Sequence, residues 1–128
     1  MEEKAKEQVP EKKGTELYVF IKAKNLAEYI MRVSAGAPVK FRYSVLTPLI
    51  QKSQDAICLL YEANETPVDD PLRKKLIREA ISKVKCVAFI ASFAEMRGCF
   101  SEHKAEVIAR YSGECLKYMQ GYLKTCRA

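Results

Sequence analysis

Pro38-Val39-Lys40-Phe41-Arg42-Tyr43-Ser44-Val45-Leu46-Thr47-Pro48-Leu49-Ile50-Gln51-Lys52-Ser53-Gln54-Asp55-Ala56-Ile57-Cys58-Leu59-Leu60-Tyr61-Glu62-Ala63-Asn64 is the stretch whose reading decides the fold. Val45, Leu49, Ser53, Ala56, Leu60 and Ala63 recur at spacings of three and four, the period of one helix face. Leu46, Ile50 and Ile57 widen that face, so the helix has to be buried along much of its length. Pro48 sits inside the pattern. It removes the backbone bond to the Ser44 carbonyl and bends a continuous helix. The alternative is a start at Thr47-Pro48, with Thr47 as cap and Pro48 at the first helical position. Lys40 and Arg42 open the segment, where the helix dipole already presents positive potential. Two cations there are locally unfavourable and point to a negative partner.

The same period repeats on both sides. Upstream, Val19, Ala23, Leu26, Ile30 and Val33 form the seam of a helix over residues 15–34. Thr15 serves as its cap, and Ser34-Ala35-Gly36-Ala37-Pro38 breaks it. Downstream, Asp70-Pro71 starts a helix over 71–97. Its seam is Ile77, Ala80, Val84, Val87, Ala91 and Ala94. Ser101 caps a last helix over 101–124, with Ala105, Ile108, Ser112, Cys115, Met119 and Tyr122 inward. Gly113 and Gly121 cost that helix about 1 kcal/mol each against Ala, which suggests close packing or a helix end.

Helices over 15–34, 39–64, 71–97 and 101–124 joined by short turns predict an all-α, up-down-up-down antiparallel four-helix bundle. Residues 1–14 carry four lysines and four glutamates besides Pro10 and Gly14. They read as a mobile charged tail, leaving 15–128 as one domain.

The formal charge of +6 therefore belongs to the folded part. It favours acidic partners: nucleic acid, an anionic membrane or an acidic protein surface. No apolar run approaches the ~20 residues needed to span a bilayer, and the N-terminus lacks a signal peptide's apolar core. The expectation is a cytoplasmic protein without a membrane role.

Chemistry is sparse. The five cysteines are odd in number, lack CxxC spacing and read as buried small hydrophobes. His103 is the only histidine. It has one carboxylate at ligand spacing, Glu106, and no second such pair. Cys99 four residues away has no nucleophile motif around it. The reading is no enzyme, no metal and no cofactor.

The cations carry what remains. Lys40 and Arg42 open the second helix. Arg73, Lys74, Lys75 and Arg78 open the third, and Lys83 and Lys85 continue along its side. Lys104, on the first turn of the fourth helix, is expected beside Lys40 and Arg42. An extended stripe of this kind suits phosphate backbones. Tyr18, Tyr29, Phe41, Tyr43, Tyr111, Tyr118 and Tyr122 are candidates for base stacking, or more simply core and interface side chains. The second half of the third helix, residues 86–94, is nearly uncharged and hints at a subunit contact.

Asn25-Leu26-Ala27-Glu28-Tyr29, Pro38-Val39-Lys40-Phe41-Arg42-Tyr43, Leu59-Leu60-Tyr61-Glu62-Ala63-Asn64 and Glu114-Cys115-Leu116-Lys117-Tyr118-Met119-Gln120-Gly121-Tyr122-Leu123-Lys124 together resemble a family of small bacterial four-helix bundles. It comprises the proteins encoded in intervening sequences of 23S ribosomal RNA genes and the accessory variability determinant (Avd) of diversity-generating retroelements. Gln120 and Tyr122 stand where the family's closing pattern has Gly and Trp, and Ala37-Pro38-Val39-Lys40 replaces its Phe-Pro-Lys. The resemblance implies a ring-shaped homopentamer that binds RNA or DNA and a retroelement reverse transcriptase without being a catalyst. The cations named above become its candidate phosphate or partner contacts.

Overall fold

The computed structural model describes residues 11–127, with side chains from residue 18 onward. Among them there are four α-helices and no strands: α1 (Glu11–Ala35), α2 (Thr47–Asn64), α3 (Pro71–Met96) and α4 (Glu102–Leu123). A 3-10 turn (Val39–Phe41) and a π-helical turn (Arg42–Leu46) lead into α2. The arrangement is that of a four-helix bundle. Each helix packs on its neighbour in sequence, and α1 packs on α4. Contacts between α1 and α4 run in opposite numerical order: Tyr18 meets Tyr118, Lys22 meets Glu114 and Tyr29 meets Tyr111.

The seam residues of all four helices are buried where the heptad-like spacing puts them. Leu26, Ile30, Leu49, Leu60, Ile77, Ile108 and Met119 are almost wholly excluded from water. Each such side chain contributes about 1.5–3 kcal/mol relative to exposure. Ala56, Ala63, Ala80, Ala91 and Ala94 lie among them, and their small size lets helix axes approach. Phe100 and Cys99, in the α3–α4 turn, plug one end of this core.

The caps follow elementary rules. Asp70 accepts a bond from the Leu72 amide at 2.9 Å, and Pro71 needs no partner at the first helical position. Ser101 Oγ accepts from the Lys104 amide at 3.2 Å. Gly98, at φ 81°, closes α3, its amide donating to the Glu95 carbonyl at 3.0 Å.

Two expectations are corrected at the first helix. It is already helical at Glu11, so residues 11–14 belong to α1 and Thr15 lies within it instead of capping it. A glycine such as Gly14 costs only about 1 kcal/mol in a helix, too little to stop one that packs over the next five turns. The rest of the expected tail, residues 1–10, lies outside the described residues.

At Pro48 the backbone is helical on both sides. Leu46 precedes α2 in helical conformation, and Thr47 makes no side-chain cap. The adjustment is a change of helix type. The Thr47 amide reaches back five residues to the Arg42 carbonyl. A wider turn relieves the clash that a proline ring makes with the carbonyl four residues earlier.

Candidate nucleic-acid interface

Seven of the nine expected cations separate into three groups, and Arg73 and Lys104 stand apart from them. On the outer side of α3, Lys75 and Arg78 are exposed and Lys74 is half-buried. Spacings of three and four put them on adjoining strips of one helix face. With Pro71, Glu79 and Ser82 they line a depression of about 550 Å³. Lys85, also exposed, lies two turns further along. None of these four lysines and arginines forms an ion pair among the described residues.

Lys83 faces α2 and is paired with Asp55 at 3.9 Å. The groove it lines, about 640 Å³, holds Lys52 and Lys83 against Asp55, Glu62 and Glu79, so its charges largely cancel. Lys83 therefore belongs to the bundle's polar seam.

Lys40 and Arg42 form the third group, both exposed on the entry to α2. Lys40 Nζ lies 5.3 Å from the Phe41 ring centroid. Lys40 lines a cavity of about 410 Å³ with Ser44, Phe93 and Arg97, whereas Lys104, half-buried on α4, is not part of it. Arg97, a cation outside the expected set, shares that cavity with Lys40.

Arg73 is the substantive correction. It is only 3% exposed. Its Nη1 donates to the Ala63 carbonyl at 3.0 Å and the Thr66 carbonyl at 2.7 Å, and its Nη2 donates to the Tyr122 hydroxyl at 3.1 Å. A cation in the first turn of α3 is badly placed for the dipole of α3 but well placed for the C-terminal carbonyls of α2. Arg73 is structural, and the surface set loses it.

The stacking candidates also divide. Tyr18 and Tyr118 lie 5.9 Å apart and Tyr29 and Tyr111 5.4 Å apart, ring against ring across α1 and α4. Lys22, Arg32 and Arg110 sit over these rings at 5.6–5.9 Å. Phe41 and Tyr122 are buried. Tyr43 alone of that set projects fully, at 80% exposure. The sequence reading named neither Phe89, 79% exposed on the nearly uncharged stretch 86–94 of α3, nor Met96, 80% exposed just beyond it.

The thiols of Cys99 and Cys115 are pushed up by burial, that of Cys115 to about 12. No group of three or more His, Cys, Asp or Glu that could hold a metal occurs among the described residues, and none of their helices is long and apolar enough to cross a membrane. No family model, curated protein or solved structure matches the chain.

Proposed function

We propose that the chain is a non-enzymatic accessory protein that binds the phosphate backbone of RNA or DNA, in the manner the Avd resemblance implies. The observation that carries this reading is the row of cations without ion pairs on the outer face of α3, Lys74, Lys75, Arg78 and Lys85. Surface cations are ordinarily interspersed with acids. Here four cations without ion pairs stand against one exposed acid, Glu79, and that excess supplies counterion-release affinity to a polyanion. In this reading the bundle is up-down-up-down, as the reversed numbering of the α1–α4 contacts suggests. Copies assemble into a cytoplasmic homo-oligomer, a pentameric ring by the resemblance, and Phe89 and Met96 are the side chains that assembly would cover. A retroelement reverse transcriptase is the protein partner.

The second reading is a protein-interaction module whose basic face meets an acidic protein. Under it the exposed Phe89 and Met96 meet that protein instead of another copy of the chain. Light scattering with and without a structured RNA, at moderate and at higher salt, separates the two. A mass of several subunits with salt-sensitive RNA binding supports the first reading. A protein that ignores RNA at every salt concentration removes it.

A further inference from the structure

We propose that the cavity between the entry to α2 and the end of α3 is a nucleotide site, taking a phosphate on Lys40 and Arg97 and a base on Phe93. The proposal deepens the nucleic-acid reading and rests on it for its biological sense, but it has its own geometry. The cavity holds about 410 Å³ and is lined by Lys40, Phe41, Ser44, Val45, Phe93 and Arg97. Two of those six groups are cationic, one is a hydroxyl, two are aromatic rings and none is acidic. Neither Lys40 nor Arg97 forms an ion pair among the described residues. Phe93 is 51% exposed, whereas Phe41 and Val45 are buried and form the floor.

Such a lining selects an anion that also carries a flat ring. A bare phosphate would use the cations and leave the Phe93 face wet. A neutral aromatic would leave both cations of the lining uncompensated. A nucleotide uses both, since base–aromatic stacking and a guanidinium fork on phosphate are separate contributions. The two concavities along α3 lack this combination. The α2–α3 groove balances Lys52 and Lys83 with Asp55, Glu62 and Glu79. The depression at Lys74, Lys75 and Arg78 has no ring.

Local backbone features hold the parts in place. Arg97 is the C-terminal cap of α3, fixed by its amide bond to the Phe93 carbonyl at 3.1 Å and by the left-handed turn at Gly98. Ser44 stands on the π-helical turn that precedes Pro48. Such turns often occur at functional sites. One ligand chemistry has two sources here, a free nucleotide or the terminal nucleotide of a strand.

The test is amide NMR titration of the full chain with adenosine monophosphate, with inorganic phosphate, and with a short single strand carrying or lacking a 5′-phosphate. Adenosine monophosphate is expected to shift Lys40, Ser44, Phe93 and Arg97 and to bind about ten-fold or more tighter than inorganic phosphate, the size of one base–aromatic stack. Phe93→Ala should remove that advantage and leave phosphate binding unchanged, while Arg97→Gln weakens both. Both side chains are exposed, and circular dichroism checks that the variants fold. If only the 5′-phosphorylated strand shifts these residues, the site holds and its ligand is a strand end. If neither nucleotide nor strand shifts them, or Phe93→Ala changes nothing, the site is wrong, even where RNA still binds along α3. Nucleotide binding without RNA binding would instead sink the accessory-protein reading and leave the site standing.

Discussion

The Arg73 guanidinium donates to the Tyr122 hydroxyl at 3.1 Å and lies 5.2 Å from that ring's centroid, tying the first turn of α3 to the last turn of α4. The hydroxyl in turn donates to Asn64 Oδ1 at 3.3 Å, and the guanidinium also holds the Ala63 and Thr66 carbonyls. Three chain segments thus meet on one cation. Its removal strands buried acceptors, so Arg73→Met is expected to cost about 3 kcal/mol or more in urea unfolding. Tyr122→Phe should cost about 1–2 kcal/mol. The double variant should lose less than the sum of the two, because the residues share one network. Strictly additive losses would refute the coupling.

The fate of Arg73 shows where the sequence stops being legible. Its neighbours Lys74, Lys75 and Arg78 have the same charge and nearly the same position on α3, yet Lys75 and Arg78 face water and Lys74 is half-buried. Which cation turns inward depends on the carbonyls of another helix's end, and periodicity carries no trace of them. The apolar seams were legible because burial imposes the three-and-four spacing directly, from Val19 on α1 to Tyr122 on α4. Ser53 was legible too, its hydroxyl donating to the Ile50 carbonyl at 2.8 Å. Ser112 was not. It lies on the expected seam, but its buried hydroxyl has no hydrogen-bond partner among the described residues, which the spacing alone does not reveal. The Lys40–Arg97 junction needed the register of α2 against α3, which only packing supplies.

Gly113 illustrates a glycine without a packing reason. It lies inside α4, away from either end, and a Cβ added there meets nothing within 4 Å. Neither close packing nor a helix end explains it. Gly113→Ala is expected to stabilise the fold by up to about 1 kcal/mol, through the lost backbone entropy of the unfolded chain. Unchanged or lower stability in a thermal melt would show that the position has a constraint beyond α4 itself.

Cys115 sets a pH window. Burial raises its thiol from 9.0 to about 12, so the folded chain holds a proton that the unfolded chain releases. Its contribution is complete below pH 9 and is lost as pH rises from 9 toward 12, by on the order of 4 kcal/mol over the whole window. Alkaline unfolding of Cys115→Ala should therefore fall off less steeply than that of the parent chain. Under native conditions the exposed Cys58 should react with a thiol reagent long before Cys115 does. Equal alkaline slopes in the two proteins would contradict the assignment.

The cations of α3 make the functional reading quantitative. Each lysine or arginine that neutralises a phosphate releases condensed counterions, which steepens the fall of affinity with salt by about 0.7–0.9 per contact. Replacing Lys74, Lys75 and Arg78 together with Gln should lower affinity for a structured RNA and reduce that slope by about two to three. Lys83→Gln, which opens an ion pair with Asp55, should leave the slope unchanged. Arg73 is held inside by Ala63, Thr66 and Tyr122, so its substitution should alter stability and not the slope. Filter binding across a salt series reads all three variants at once. If the triple variant keeps the parent slope, RNA does not lie along α3, and the unpaired cations there serve a protein partner.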